Sequence, residues 1–108
     1  MVMSEPNRID AILKSPEGEI VLMISEHRDW RIHSEMGEQL RQKISNYVKF
    51  INGDEYRSRF GIKKAKILLM TNHEPTEKIK QDLMRYERAT GVEIEYRTMP
   101  LRNLFKAP

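Results

Sequence analysis

"AKILLMTNHEPTEKIKQDLMRYERATGVEIEYRT", residues 65–98, holds the fold class in a single run. Ala65 to Met70 is an apolar stretch opened by Lys66, of the length and composition of a strand buried in a sheet. Glu74-Pro75-Thr76 then opens a helix, since proline is tolerated in a first turn whose N–H groups have no partner anyway. Ile79, Leu83 and Tyr86, with Met84 beside them, give that helix a buried face, and Thr90-Gly91 ends it. Val92, Ile94 and Tyr96 alternate with Glu93, Glu95 and Arg97, the pattern of a half-exposed edge strand. Strand, helix and strand at this spacing make a βαβ unit, in which the two strands run parallel and the crossover is right-handed.

Working outward towards the N-terminus, residues 8–25 read as a β-hairpin. Ile9, Ala11 and Leu13 alternate with Arg8, Asp10 and Lys14, and Ser15-Pro16-Glu17-Gly18 reverses the chain, with Pro16 presetting φ and Gly18 tolerating a positive φ. Ile20 to Ile24 is apolar throughout, which predicts a central strand covered on both faces. Between the two halves, Met36, Leu40, Ile44, Tyr47, Val48 and Ile51 recur every three or four residues and predict a helix over 34–51. On that helix Glu38, Arg41, Gln42, Lys43 and Lys49 are expected to face outward, with Ser34 as N-cap and Asn52-Gly53 as the stop. Tyr56 and Phe60, four residues apart, allow a short second helix over 54–61. The order ββαβαβ predicts an α/β (α+β) single domain with a mixed four-stranded sheet and two main helices. Residues 7–99 form the domain, 1–6 an N-terminal arm and 100–108 an apolar tail carrying Leu101, Leu104 and Phe105.

The totals bound the function classes. A chain of 108 residues fits one domain of the usual size of about 100–150 residues and has too little apolar material to give two domains a core each. It has no cysteine, so neither disulfides nor thiolate metal sites are available. The start carries no basic region followed by an apolar run, and no apolar stretch approaches the roughly 20 residues of a membrane span, so a cytoplasmic protein is expected. Nineteen basic and 16 acidic side chains interleave to a net charge of +3, a salt-laced surface more than a nucleic-acid footprint. The division is uneven: residues 1–54 carry −2 and residues 55–108 carry +5, which permits electrostatic choice of a partner.

Two constellations could carry chemistry. The element order and Asp10 are those of a metal-dependent nuclease, which needs two converging carboxylates and a lysine beside the attacking water. The places that should supply the second carboxylate and the lysine are taken by Val21-Leu22-Met23-Ile24-Ser25. Glu19 comes too early at the turn, and Glu26 is expected past the strand's end. His27 and His33, with Glu26, Asp29 and Glu35, are spaced for neither a helix face nor alternate strand positions, so no metal site is expected. There is no glycine-rich phosphate loop and no nucleophile elbow, and neither catalytic residues nor a cofactor is assigned. The second constellation is basic: Arg57, Arg59, Lys63, Lys64 and Lys66 fall within ten residues around Phe60, and would be a nucleic-acid patch if they shared one face. A solvated loop is the plainer reading.

Asn7-Arg8-Ile9-Asp10, Ile24-Ser25-Glu26-His27-Arg28-Asp29-Trp30 and the helix end at Tyr47, Phe50, Ile51 and Gly53 resemble the motifs of a bacterial family, domain of unknown function 6572. The resemblance covers roughly residues 7–98 and implies a small single-domain protein without an established activity. It places Asp10, Glu26, His27 and Trp30 on family motif positions. These four are the candidate binding cluster, with a structural alternative: Asp10 bonding backbone donors at the hairpin, Glu26 and His27 bridging strand to helix, and Trp30 packed beneath. The function expected is non-enzymatic protein association, with a homodimer or protein partner formed through a strand edge or the tail. The alternative is a degenerate nuclease-like domain that binds nucleic acid.

Overall fold

The computed structural model describes residues 8–99. They form β1 (Ala11–Lys14), β2 (Ile20–Glu26), α1 (Met36–Ile51), α2 (Asp54–Phe60), β3 (Ala65–Thr71), α3 (Glu77–Thr90) and β4 (Glu93–Thr98). The sheet order is β1-β2-β3-β4. β1 pairs antiparallel with β2, whereas β2, β3 and β4 are mutually parallel. The expected mixed four-stranded α/β sheet is therefore present, and the stretch 54–61 does form a helix. The N-terminal arm and the apolar tail lie outside the described residues. Among the described residues no helix is long and apolar enough to cross a membrane.

Local chemistry accounts for most boundaries. In the hairpin, Gly18 takes φ +88° and donates its N–H to the Ser15 carbonyl, while the Ser15 hydroxyl accepts from Glu19 N–H. The Thr76 hydroxyl caps α3 by accepting from Ile79 N–H at 3.3 Å, and Gly91 closes it in the left-handed conformation at φ +72°. Helix α1 departs from expectation: it begins at Met36 behind Glu35, and no side chain caps it. Ser34 is not the N-cap.

The sheet has two unlike faces because both crossovers step the same way. β2 to β3 and β3 to β4 each move one strand along the order, and two crossovers of the same hand then put α1 and α3 on the same side. The core agrees. Leu22 and Ile24 of β2 and their register partners Ile67 and Leu69 of β3, all with 0% exposure, pack with Met36, Leu40, Ile44 and Tyr47 of α1 and with Ile79 and Leu83 of α3. Ile94 and Tyr96 of β4 join from the edge. A smaller cluster of Ile20, Tyr56 and Ala65 seats α2, with Phe50 and Phe60 against the Tyr56 ring at centroid distances of 5.9 and 5.1 Å.

Alternation sends Ala11, Leu13, Val21, Met23, Leu68 and Met70 to the opposite face, away from every helix. The continuous apolar run of β2 thus marks its central position correctly, and on the face without helices Val21 and its neighbour Leu68 of β3 are also buried, at 6% and 9% exposure. Three further expectations change. Met84 is 62% exposed, because it lies about 100° around the helix from Leu83. Glu26 is the last residue of β2 and is buried, instead of lying past the strand. Lys43, expected to face outward, is completely buried.

Candidate functional site

Burying Lys43 requires an anion, and the fold supplies Asp10. Its side chain is only 5% exposed, and Oδ1 accepts from Lys43 Nζ at 2.8 Å. Oδ2 accepts from the backbone N–H of Ser25 at 3.0 Å. Tyr47, one helical turn beyond Lys43, donates its hydroxyl to the Met23 carbonyl at 2.7 Å and accepts from Asp10 N–H at 3.0 Å. Burial pushes the Tyr47 hydroxyl pKa well above its ordinary value, so it remains a donor throughout the working pH range. Four bonds therefore tie the start of the hairpin, the central strand and α1 together.

The sequence contained a sign of this arrangement. Met36, Leu40, Lys43 and Tyr47 follow the four-three-four spacing of a single helix face, so Lys43 stands on the apolar stripe itself. A cation in that position needs a buried carboxylate.

Glu26 repeats the theme at the other end of β2. Its carboxylate, 1% exposed, accepts from Arg28 N–H at 2.8 Å, Arg28 Nε at 3.1 Å and Arg28 Nη2 at 3.0 Å. Nη2 also reaches Gln39 Oε1 of α1 at 2.5 Å. The hydrogen bond to Glu26 raises the Arg28 pKa above its ordinary value, so the guanidinium stays charged. Glu26 does link strand to helix, through an arginine that sequence reading had passed over.

His27 is exposed and turns the other way: Nδ1 bonds Asn72 Oδ1, while Asn72 Nδ2 donates to the Met99 carbonyl at 2.9 Å. It joins β2 to the loop after β3 and not to a helix. Met23, Ser25, Met70 and Met99 surround it in a small cleft of about 220 Å³ at the carboxyl ends of the parallel strands. Trp30 packs in the main core at 6% exposure, and its indole N–H has no acceptor among the described residues.

The acidic and imidazole groups of the same end are also paired. Asp29 accepts from Arg31 N–H, Nε and Nη2 at 3.0, 3.2 and 3.0 Å, and these bonds hold its pKa down to about 2. His73 stands 3.8 Å from Asp29, and His33 stands 3.9 Å from Glu35. Among the described residues no three His, Asp or Glu side chains gather closely enough to hold a metal ion. Asp10 and Glu26 each have a cationic side chain and a backbone N–H as partners.

The basic stretch divides. Arg57 pairs with Asp54 and Arg59 with Glu55, each at 3.4 Å, and the Arg59 guanidinium lies 5.0 Å from the Phe60 ring centroid. Lys66 points to the helix-free face and pairs with Glu95 at 3.0 Å. Arg57, Lys63 and Lys64 line a separate cleft at the amino ends of β3 and β4. The five cations do not share one face.

The chain belongs to a family of unknown function, DUF6572, whose model matches residues 1–99. No curated protein and no solved structure gives a match.

Proposed function

We propose that the domain is not an enzyme and works by protein association, forming a homodimer through the sheet face that the helices leave uncovered. One observation carries this: α1 and α3 pack on the same side, while Ala11, Leu13, Val21, Met23, Leu68 and Met70 make an apolar band on the other, with Val21 and Leu68 buried at its centre, Ala11, Met23 and Met70 half-buried and Leu13 exposed. Central strands with apolar side chains on both faces belong in a sheet covered twice, and a second sheet stacked about 10 Å away is a common way to supply the cover. The flank of the band supports a second copy as the partner. Lys66, Glu95 and Arg97 place both signs of charge beside it, so two copies related by a twofold axis can pair cation with anion. The alternative of a degenerate nuclease draws less support, because Asp10 bonds an ammonium and a backbone amide.

Sedimentation velocity over a range of protein concentrations tests the reading. The natural chain should show a concentration-dependent dimer, and Leu13→Glu with Met70→Glu should leave a folded monomer. A natural chain that remains monomeric at the highest concentration reached would refute it. Dissociation on removing residues 100–108, with the double variant still dimeric, would move the contact from the sheet face to the tail.

A further inference from the structure

His27 and three methionines meet on the open face, where the sheet's hydrogen bonds run on past the strand ends. Asn72 N–H donates to the Glu26 carbonyl at 3.1 Å and Met99 N–H to the Thr71 carbonyl at 2.7 Å, so His27, Asn72 and Met99 stand side by side across the carboxyl ends of β2, β3 and β4. Two residues back, Ser25 is the register partner of Met70, and Met23 precedes Ser25 by two positions on the same face. The short side chain of Ser25 lies in the dip that Met23, His27, Met70 and Met99 surround, the cleft of about 220 Å³. Met23 and Met70 are half-buried there and Met99 is 43% exposed, so the thioethers are reachable from solvent.

Asn72 fixes which nitrogen of His27 is free. Only its amide nitrogen can donate to the Met99 carbonyl, which it does at 2.9 Å, so Oδ1 faces His27 as an acceptor. Nδ1 must then carry a proton, and in the neutral imidazole the lone pair lies on Nε2. Among the described residues Nε2 has no hydrogen-bond partner. A ring oriented through the N–H of one nitrogen, with the other nitrogen open, is the arrangement found in histidine metal ligands.

We propose that this cleft binds one soft monovalent ion, Cu(I), through the thioether sulfurs of Met23, Met70 and Met99 and through Nε2 of His27. Thioethers are soft donors that select Cu(I) over harder divalent ions. No carboxylate lines the cleft, so Zn²⁺ or Mg²⁺ would find a single imidazole and none of the anionic ligands they favour. The rotatable bonds of each methionine let its sulfur turn inward. An apolar contact surface would account for the methionines, but not for an oriented histidine among them. All four donors come from one chain, so the site does not depend on the dimer.

Titration of the full chain with Cu(I) under anaerobic conditions, in competition with a chromophoric Cu(I) chelator, tests the proposal. One Cu(I) should bind per chain, and Zn²⁺ far more weakly. Met70→Leu with Met99→Leu removes two sulfurs at nearly constant apolar volume and should weaken Cu(I) binding about tenfold or more, as should His27→Ala. Ag(I), an ion of the same charge that is not readily oxidised, should shift the methyl NMR signals of Met23, Met70 and Met99 and leave those of the buried Met36 and the helix-surface Met84 in place. Leu13→Glu lies outside the cleft and disrupts the apolar band, yet should bind Cu(I) as the natural chain does, so the metal site and the dimer contact fail separately. No uptake of Cu(I), unchanged affinity in the double methionine variant, or Zn²⁺ bound as tightly as Cu(I) would overturn the proposal. So would Ag(I) shifts confined to other methionines.

Discussion

The two faces of this sheet are built from the same strands and obey different rules. On the helix-covered face every position is used: Leu22, Ile24, Ile67 and Leu69 are fully buried, and the polar groups that enter, Asp10, Lys43 and Glu26, each have a charged partner. On the other face Val21 and Leu68 are also buried, at 6% and 9% exposure, but they lie beside half-buried charges such as Lys66 and Glu95, and neither belongs to a packed apolar cluster of the described residues. The difference shows that apolar sequence alone does not locate the core. The direction of the crossovers decides which half of each strand's side chains becomes core.

The sharpest way to break the comparison is to remove an ion on the covered face. Lys43→Ala leaves Asp10 buried at 5% exposure with one amide for a partner, and should cost about 3–5 kcal/mol in urea denaturation. Replacing both partners, as Asp10→Leu with Lys43→Met, should recover much of that loss, because the cost comes from the orphaned charge. A single variant within about 1 kcal/mol of the natural chain would mean that water reaches the pair. The double variant also separates fold from motif: Asp10 lies on a family motif position, and its bonds to Lys43 and Ser25 N–H account for a carboxylate there.

Next in size is a comparison of neighbours. Leu68 and Leu69 are adjacent on β3 and point to opposite faces, with Leu69 fully buried in the main core and Leu68 outside it. Leu69→Ala should cost roughly 3 kcal/mol or more through lost burial and a cavity. Leu68→Ala should cost less, roughly 2 kcal/mol in the monomer, since Leu68 is buried at 9% exposure but lies outside that core. If the natural chain dimerises through the open face, the Leu68 cost should grow with protein concentration while the Leu69 cost does not. Equal losses in dilute solution would mean that both faces are packed alike.

Much of this was legible in the sequence, and the two misread charges share one cause. Element order, the hairpin turn, the βαβ unit and the Thr76 and Gly91 caps follow from local rules that act within a few residues. Lys43 and Glu26 were assigned outward or terminal places because charged side chains are seldom buried. That prior fails where a partner arrives from 33 positions away, as Asp10 does for Lys43. That both long helices lie on one face was implicit in the order of the elements, whereas the apolar run of β2 reports only that the strand is buried on both faces, as Val21 is.

The smallest effect belongs to the open face and tests whether its charges behave as surface charges. Glu95 accepts from Lys66 at 3.0 Å and lies 3.3 Å from Arg97, and the Lys66 hydrogen bond is the main reason its pKa falls below the ordinary glutamate value. A carboxylate whose folded pKa is depressed adds stability that is fully present above its unfolded pKa of about 4.3 and is lost as pH falls through the folded value. Glu95→Gln should therefore flatten part of the acid limb of a stability profile below about pH 4.5, and leave the profile unchanged in shape above it. Because the side chain is 33% exposed, solvent screening should keep the drop in Tm at neutral pH to about 1–2 °C. A drop several times larger in a demonstrably monomeric sample would place Glu95 in a low-dielectric setting. That would erase the contrast between the two faces, because the open one would then be holding its charges as the covered one holds Asp10 and Lys43.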